Sequence, residues 1–487
     1  MFSRTLISFR TVLGRRQVSF SLPPTINQLF MNPPPANTEI TTQGLVKAIR
    51  VFKKVAFIDI SDGLNHHMLN VVIPDPSLLA NSALELKIGQ NIRVCGTWTE
   101  CLKGSQSHEL RLNAVDEKVA ILGDVPADYP LQKKFHSSAY LRKELPTLRF
   151  KTNKLSSVLR FRSLVESELG AFFASHDFVK THPPLITSSD CEGAGELFQV
   201  ERAAAKGKFF GKNAYLTVST QLHLEAICMA LNRVWTLSPC FRAETSNTTR
   251  HLSEFWMLEA EVSYVDSVHQ VTALAEAMIK HVVRQLQQDG PGGVADLEKS
   301  RFSMEEIAVM KHRWETLLAG DWPSVTYTEA VTILAKQHEL VPFMYRPMWG
   351  ESLQTEHEKW LAGEHFARPV FVTDYPKAMK PFYMKINDAS LPEAQQTVGC
   401  FDLLVPDVGE LIGGSMREHD YRKLQTEIMR LGMKPEEVQW YADLRTYGTV
   451  PHGGFGMGFE RLLCYLANIE NIRDVIPFPR AAESCVC

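Results

Sequence analysis

The chain has 487 residues, of which 45% are hydrophobic and 22% charged, with 52 basic against 55 acidic side chains. This length is too great for one core and predicts two or three domains of ordinary globular composition. We find no apolar run of the roughly 18 residues that a membrane span requires, so we predict no membrane-embedded segment. The formal net charge of −3 neither supports nor excludes a nucleic-acid partner, because a basic patch would have to be local.

The cysteine pattern and the first residues bear on the cellular compartment. Nine cysteines are scattered without a CxxC pair, which disfavours zinc and disulfide frameworks and suits a reducing compartment. Residues 1–25 carry four arginines before the first acid, Glu39, and interleave apolar residues with Ser and Thr. This composition predicts a mitochondrial transit peptide and a mature protein in the mitochondrial matrix. The alternative is a disordered basic arm.

From 38 to 124 the chain shows short β-type runs separated by Gly and polar turns. The runs lie at 55–60, 69–73, 92–96 and 109–112. Short strands with such turns between them are typical of a small barrel. We therefore predict an OB-fold over 38–124, separated from the leader by a Pro-rich stretch.

A linker is predicted at 125–148, where three prolines interrupt regular structure. Beyond it, residues 155–175 have apolar side chains at helical spacing and predict a long helix. The chain then alternates strand-type and helix-type segments, which predicts one α+β domain over 149–487. The segment 285–325 is the least informative part of the chain, and we assign it no function.

Three stretches of the second domain stand out. They are 178–186 (FVKTHPPLI), 241–255 (FRAETSNTTRHLSEF) and 453–461 (GGFGMGFER). In this order and spacing they resemble the three signature motifs of class II aminoacyl-tRNA synthetases, and the predicted barrel resembles the anticodon-binding domain of the aspartate, asparagine and lysine subgroup. The resemblance implies a catalytic domain built on an antiparallel sheet flanked by helices. It also implies a homodimer formed through the first motif.

The implied reaction needs fixed cations, because the carboxylate of an amino acid attacks the α-phosphorus of ATP and both partners are anions. The resemblance implies that Arg242 holds the α-phosphate and the substrate carboxylate, and that Arg461 holds the γ-phosphate. A guanidinium fork suits these tasks better than a lysine. Taken singly, Arg242 could instead belong to a surface ion pair. The resemblance also implies further residues at the reacting end: Glu244 as a catalytic residue, Arg250 and His251 on ATP, and Phe255 stacked on the adenine, unless Phe255 is a core aromatic.

Asp402 and Glu410 lie in the segment 400–415 (CFDLLVPDVGELIGGS). Paired hard oxygens near phosphates suit Mg²⁺. The resemblance implies that Glu410 and Asp402 bind Mg²⁺ together with ATP, and that the ion neutralises the leaving pyrophosphate. A solvated loop acid is the alternative, and it fits Asp407 better than Glu410. The attacking carboxylate is already ionised, so no protein base is required.

Two stretches distinguish the asparagine enzymes of the subgroup from the aspartate enzymes. Residues 190–198 (DCEGAGELF) and 380–385 (KPFYMK) resemble the asparagine versions. The resemblance implies that Glu192 binds the substrate ammonium, and that Lys380 lies at the amino-acid site. It also implies that Arg417 meets the oxygen of the substrate side chain.

The strongest indication of the amino acid is a missing cation. Aspartate enzymes typically carry Gln-x-x-Lys where this chain has Gln221 and Leu224, and their lysine pairs with the substrate carboxylate. Without it the site has less positive potential, which favours a neutral amide. We therefore expect asparagine as the substrate, with Gln221 and Leu224 near it. Aspartyl or lysyl transfer are the alternatives.

In the barrel, Phe57 and Glu109 match anticodon-contacting positions of the subgroup, and Asn70 stands where the family often has Gln. An unstacked base lying on an aromatic ring is a common device in RNA recognition. The alternative for Phe57 is a place in the barrel core. The expected activity is ATP- and Mg²⁺-dependent attachment of asparagine to tRNA(Asn). A catalytically inactive RNA-binding relative would be expected to lose Arg242, Glu410 or Arg461, and this chain has all three.

Overall fold

The structure is a computed structural model that describes residues 22–101, 106–132, 136–188, 197–202, 208–246, 248–288, 290–300 and 302–487. The chain divides into two compact units after Gln132, a position inside the predicted linker 125–148. Residues 1–21 of the predicted leader lie outside the described part of the chain. Within that part, none of the helices combines the length and the apolar character needed to cross a bilayer.

In its described residues, the first unit is a β-barrel with two short helices. Its elements are α1 (Ile26–Met31), β1 (Glu39–Val51), β2 (Ala56–Ser61), β3 (Leu69–Ile73), α2 (Ser77–Ala80), β4 (Asn91–Glu100), β5 (His108–Arg111) and β6 (Val119–Gly123). Strand β1 pairs with β4 through its first half and with β2 through its second half. The order β1-β2-β3-β5-β4 therefore returns to β1 and closes a five-stranded barrel, while β6 pairs with β4. The predicted OB-fold is confirmed.

Alternating side chains along the strands fill this barrel. On β4, Ile92, Val94 and Trp98 are fully buried, whereas Arg93 is exposed. This period of two is expected for a strand with one dry and one wet face. Helix α1 adds Ile26 to the same core.

The second unit contains a large mixed sheet and most of the helices. Its elements are α3 (Ser138–Glu144), α4 (Asn153–Ser175), β7 (Val179–Lys180), β8 (Ile186–Thr187), β9 (Tyr215–Leu216), α5 (Gln221–Leu231), β10 (Arg233–Phe241), β11 (Glu254–Ser263), α6 (Val268–Leu286), α7 (Val294–Lys299), α8 (Met304–Leu318), β12 (Ser324–Thr326), α9 (Tyr327–Leu340), α10 (Thr355–Trp360), β13 (Val370–Thr373), β14 (Cys400–Val405), β15 (Gly409–Met416), α11 (Tyr421–Arg430), α12 (Pro435–Asp443), β16 (His452–Gly458) and α13 (Phe459–Ala467). Single helical turns lie at Leu148–Lys151, Leu361–His365, Lys377–Met379, Glu393–Gln395, Leu444–Thr446 and Ile472–Asp474.

The sheet that carries the candidate site has the order β12-β13-β14-β15-β16-β11-β10-β7 among the described residues. The strands from β13 to β10 are antiparallel, and the outer strands β12 and β7 are parallel to their neighbours. Helices α4 and α6 pack against each other, and α6 also packs against β14, β15 and β16. This arrangement confirms the predicted α+β class with an antiparallel sheet flanked by helices.

Helix α4 covers the helix predicted at 155–175. The Thr152 side chain accepts a hydrogen bond from the Leu155 N–H and caps the first turn. Phe161, Val165 and Leu169 recur at helical spacing and are fully buried in the main core. The helix ends where Asp177 takes a positive φ of 61°.

Candidate active site

One face of the sheet carries two rows of residues that cross β14, β15, β16 and β11. The rows are Asp402, Gly413, Gly456 and Glu259, and then Cys400, Ser415, Gly454 and Glu261. Residues directly opposite each other in neighbouring strands share a face, so glycines lie between acidic side chains. A methyl group added at Gly454 would lie 2.1 Å from Glu261 Oε2. The glycine is therefore required for that carboxylate to lie here.

Arg242 and Phe255 stand together at one end of this face. Arg242 follows directly after β10, and its guanidinium carbon lies 5.6 Å from the centre of the half-buried Phe255 ring. Glu244 Oε1 lies 4.0 Å from Arg242 Nη1, and Glu244 Oε2 lies 3.6 Å from His251 Nε2. The structure thus brings four predicted residues of the second motif into one cluster.

Arg250 and Arg461 reach the hairpin of β14 and β15 from two other elements. Arg461 lies in the first turn of α13, and its Nη1 donates to the backbone carbonyl of Glu410 at 3.0 Å. Arg250 donates to the carbonyl oxygens of Val408 at 3.3 Å and Asp407 at 3.5 Å. Two of the predicted ATP-binding arginines therefore contact the hairpin that carries the predicted metal ligands.

Asp402 and Glu410 converge over a single glycine. A methyl group added at Gly413 would lie 3.3 Å from Glu410 Oε1 and 3.6 Å from Asp402 Oδ1. The residue Glu410 as a whole is accessible to solvent, whereas its carboxylate is surrounded by protein atoms. Burial of that carboxylate and the negative charge of Asp402 raise the pKa of Glu410. Two hard carboxylates that lie close together and repel each other are a fitting donor set for Mg²⁺.

Two further charged groups border these acids. Lys380 Nζ lies 3.3 Å from Asp402 Oδ2; burial opposes the charged lysine, but Asp402 raises the pKa of Lys380 above its ordinary value. Glu358 of α10, which sequence analysis missed, accepts a hydrogen bond from the Glu410 N–H at 3.2 Å. Burial and the charge of Glu410 raise the pKa of Glu358 to about 7. Lys380, predicted at the amino-acid site, therefore lies directly beside a predicted metal ligand.

At the other end of the same face, Arg417 belongs to a buried ionic network. Its Nε and Nη2 donate to the two carboxylate oxygens of Glu261, each at 3.0 Å, and its Nε lies 3.8 Å from Glu225 Oε1. Arg445 Nη2 and His452 Nε2 lie 2.9 Å and 3.0 Å from Glu225 Oε2. Arg417 is only 3% exposed, so these charges neutralise one another away from water.

The pKa values of the two glutamates in this network shift in opposite directions. Burial would raise the pKa of Glu225, but the His452 contact and the Arg445 charge lower it below its ordinary range. Burial raises the pKa of Glu261 despite the opposing charge of Arg417. Ligand atoms of Glu225, Glu261 and His452 lie within 4.8 Å of one another, a spacing that a metal could use. Because guanidinium groups already neutralise both glutamates, we assign these residues to the ion-pair network and to no metal.

Two other residues predicted to bind the amino acid, Gln221 and Leu224, have different surroundings in the structure. Gln221 begins α5 and donates from Nε2 to Glu225 Oε1 at 3.1 Å, which places it at this end of the face. Leu224 instead is fully buried against Cys228 and Val234. The Leu224 side chain packs inside this apolar cluster, so it does not line the site as expected. Glu192 lies outside the described residues.

Glu259 is another residue that sequence analysis missed. It accepts hydrogen bonds from the Thr220 N–H at 2.9 Å and from the hydroxyls of Ser219 and Thr220, and so anchors the turn before α5. One signal was available, because the otherwise apolar stretch 255–262 within β11 carries acids at 259 and 261. Two acids at a spacing of two share one face, and buried acids need partners. Glu225 and Glu358 offered no comparable signal, since their partners are distant in sequence.

The predicted anticodon residues occupy neighbouring strands of the barrel. Phe57 is half-buried on β2; the Arg50 guanidinium carbon lies 5.7 Å from the centre of its ring. Phe57 lies opposite Val72 of β3, and Asn70 lies opposite Asp59 two positions along the same strand pair. Glu109 on β5 is largely buried and bonds to Arg111 Nε at 2.8 Å. Phe57 belongs to the outer layer of the barrel and not to its buried core.

The fold and the two-ended site are those of a class II tRNA synthetase. A family described as tRNA synthetases class II (D, K and N) matches residues 138–482. The chain is 48% identical over 461 residues to a mitochondrial asparagine–tRNA ligase of Saccharomyces cerevisiae, covering 91% of this chain and 93% of that protein. It is 41% identical over 454 residues to an asparaginyl-tRNA synthetase of Mus musculus, covering 92% and 91%.

A solved structure agrees with these relatives. Asparaginyl-tRNA synthetase from Pyrococcus horikoshii, complexed with asparaginyl-adenylate, matches with a TM-score of 0.79 and 29% identity, covering 95% of this chain and 99% of that one. The chain belongs to the asparagine–tRNA ligase family. The prediction of a class II synthetase of the aspartate, asparagine and lysine subgroup is confirmed.

Proposed function

We propose that this chain activates asparagine with Mg²⁺ and ATP and transfers it to the 3′ end of tRNA(Asn) in the mitochondrial matrix, acting as a homodimer. The observation that carries the proposal is one sheet face with two complementary ends. Arg242, Arg461 and the acids of the β14–β15 hairpin stand at one end, and the buried network around Arg417 at the other. The family relationship supports the same activity.

The ATP end supplies what adenylate formation needs. Arg242 beside Phe255 can hold the α-phosphate while the adenine stacks on the ring, and Arg461 can hold the γ-phosphate. Asp402 and Glu410 would hold Mg²⁺, which when bound neutralises charge on the phosphates. The substrate carboxylate is the nucleophile and arrives ionised, so positioning and charge stabilisation are sufficient.

The amino-acid end supports selection of an amide. We propose Arg417 as the donor to the side-chain oxygen; both carboxylate oxygens of Glu225 on the same network already accept hydrogen bonds from the protein. The network already balances Glu225 and Glu261 against Arg417 and Arg445 among the described residues. An aspartate side chain would add an unmatched negative charge in a buried place, which is costly. We infer that asparagine is preferred for this electrostatic reason.

The test of this function is ATP–pyrophosphate exchange with asparagine, aspartate and lysine, each measured on the full chain with Mg²⁺. We expect exchange with asparagine and little with the other two. A preference for aspartate or lysine would assign the chain to another member of the subgroup. Absence of exchange with all three, alongside retained tRNA binding, would favour an inactive RNA-binding protein.

For the barrel, we propose that Phe57 provides a stacking platform for an anticodon base. Phe57→Ala should raise KM for tRNA(Asn) by the equivalent of about 1–3 kcal/mol, because a base loses its aromatic contact. Exchange without RNA should stay unchanged. Leu122→Ala is a matched control, since Leu122 is an exposed apolar residue on β6 of the same barrel. Equal loss in both reactions would show that Phe57 is structural.

The proposed dimer would use the first motif, α4 and β7. Strand β7 is an outer strand of the sheet; Val179 on it and Ile186 on β8 are exposed apolar residues. Such an edge with apolar surface suits a self-complementary interface. Sedimentation at micromolar concentration should give a dimer. An active monomer would contradict the proposal.

The proposed compartment is supported by the basic, acid-free leader and by the mitochondrial relative from yeast. Residues 1–25 fused to a fluorescent protein should direct it to the matrix, where a protease-protection assay locates it. Replacing the four leader arginines with glutamine is the control and should leave the fusion in the cytosol. Cytosolic fluorescence from the unaltered fusion would contradict the assignment.

A further inference from the structure

The hairpin turn between β14 and β15 connects several parts of the proposed ATP site. The turn contains Asp407 with φ of 66°, and β15 begins with Gly409, with φ of 89°, followed immediately by Glu410. Arg250 from the second motif and Arg461 from the third motif both donate to backbone carbonyls of residues 407–410. A shift of this turn would therefore displace a metal ligand and the contacts of two arginines together.

Glu358 reaches this turn from α10. Its Oε2 accepts the hydrogen bond from the Glu410 N–H at 3.2 Å. A methyl group added at Gly409 would lie 2.5 Å from the same Oε2 atom, so the turn leaves room for that carboxylate. The ladder between the two strands is irregular here, with a register shift at Leu403 and Leu404. A side chain thus takes part in fixing the backbone where the strand pairing is interrupted.

A second anchor comes from the segment 285–325, to which sequence analysis assigned no function. Arg313 of α8 donates from Nη2 to Asp407 Oδ2 at 2.9 Å and from Nη1 to the Tyr465 carbonyl at 3.0 Å. Arg313 is largely buried, whereas Asp407 is exposed. The turn is therefore tied at its tip to α8 and α13 and at its base to α10.

We propose that Glu358 is a positioning residue that fixes Glu410 for Mg²⁺–ATP through its hydrogen bond to the Glu410 backbone, with Arg313 as a second anchor of the same turn. This inference rests on the proposed function, because it takes Glu410 as a ligand of the ATP-bound metal. Glu358 acts in it through an accepted hydrogen bond, which an uncharged glutamine carbonyl can also accept. The same carboxylate acting as a direct metal ligand would instead require the negative charge.

The experiment compares Glu358→Ala, Glu358→Gln and the control Glu356→Ala in the full chain. Glu356 lies on the same helix and also accepts backbone N–H bonds, from Met344 at 3.0 Å and Tyr345 at 2.8 Å, away from the β14–β15 turn. Two readouts are used. The first is exchange with asparagine as Mg²⁺ is varied. The second is calorimetric binding of an unreactive ATP analogue with and without Mg²⁺, which needs no turnover.

We expect Glu358→Ala to lower exchange by at least about tenfold, equivalent to about 1.4 kcal/mol, and to raise the Mg²⁺ concentration for half-maximal rate. KM for asparagine should not change. Glu358→Gln should stay within about threefold of the wild type, or about 0.65 kcal/mol at RT ln 3, and Glu356→Ala should match the wild type. Arg313→Met should weaken Mg²⁺-dependent analogue binding in the same direction.

Three results would overturn the proposal. Glu358→Gln as impaired as Glu358→Ala would show that the charge is required and that Glu358 binds the metal itself. Wild-type behaviour of Glu358→Ala would show that the turn needs no such support. Loss of analogue binding equally with and without Mg²⁺ would indicate a general structural role. If the wild type fails to activate asparagine but binds the analogue, the proposed function fails while the calorimetric comparison still decides the role of Glu358.

Discussion

The two ends of the sheet face hold their charges in opposite ways. At the ATP end, Glu358 and Glu410 lie close to Asp402, and burial with neighbouring negative charge raises the pKa of both glutamates. At the amino-acid end, Glu225 is matched by Arg445 and Glu261 by Arg417. At the first end the carboxylates raise one another's pKa although arginines and Lys380 lie nearby, whereas at the second end a guanidinium group pairs with each glutamate before any ligand arrives.

This difference corresponds to what each end is proposed to bind. ATP binds together with Mg²⁺, so a cluster of carboxylates at this end would be stabilised when the ion binds. The side chain of asparagine is neutral and brings no counter-ion. A buried network that is already balanced accepts a neutral amide more readily than an additional charge. Substitutions at the two ends should therefore have different consequences for stability and for rate.

The largest effect is expected at the balanced end. Arg417→Met removes the guanidinium that pairs with Glu261 and leaves this buried carboxylate uncompensated, which should lower the free energy of unfolding by about 3–5 kcal/mol. Urea unfolding followed by circular dichroism measures this loss. The control is Arg284→Met on α6, an exposed arginine whose loss should leave the unfolding curve unchanged. Equal stability of Arg417→Met and wild type would show that the network is not balanced as described.

At the ATP end, replacing an arginine should lower the rate of exchange and leave the free energy of unfolding nearly unchanged. Arg461→Ala and Arg242→Ala each remove a donor aimed at the phosphates, which should slow exchange by about 10²–10³, or about 3–4 kcal/mol. Because both side chains are partly exposed, the unfolding midpoint should stay close to that of the wild type. Near wild-type exchange in either variant would remove that arginine from the mechanism. A loss of stability as large as that of Arg417→Met would remove the contrast between the two ends.

The smallest effect is expected when a substitution at position 224 alters the charge balance of the amino-acid end. Leu224→Lys adds a buried cation in the cluster with Cys228 and Val234, one position along α5 from Glu225. Because its charge acts at a distance on the network, we expect it to raise the ratio of aspartate to asparagine activation by at least about tenfold, or about 1.4 kcal/mol. Leu224 is fully buried, so Leu224→Met serves as the control for altered packing and should leave the ratio unchanged. Adenylate formation with each amino acid provides the measurement. An unchanged ratio in the lysine variant would show that position 224 is electrostatically isolated from the site.

Much of the fold could be predicted locally. The barrel strand at 69–73 follows from a short β-type run between turns and the helix at 155–175 from a hydrophobic period of 3.6, and the structure has β3 at Leu69–Ile73 and α4 at Asn153–Ser175. Arg461 follows the glycine-rich stretch 453–458, which typically ends a strand, and it lies in the first turn of α13. These features depend on neighbours along the chain, which is why sequence patterns contain them.

Other features could not be predicted because they join distant segments. Glu358 is 52 positions along the chain from Glu410, whose backbone N–H donates to it, and Glu225 is 220 positions from Arg445. Leu224 shows the same limit, since its spacing from Gln221 suggested a place in the site but the turn of α5 directs it toward Cys228 and Val234. Which side of a helix faces the ligand depends on packing against other elements.

The sequence by itself determined the class of the protein, through three motifs and a barrel whose residue types are required by phosphate binding and by strand and helix periodicity. Only the tertiary structure decided how charge is distributed over the site. Packing joins Glu225, Glu261, Arg417 and Arg445 in one buried ionic network. It also places the Glu358 carboxylate within hydrogen-bonding distance of the Glu410 backbone N–H. The physical reason is that electrostatic energy depends on distance and burial, and both arise when strands and helices far apart in the chain pack together.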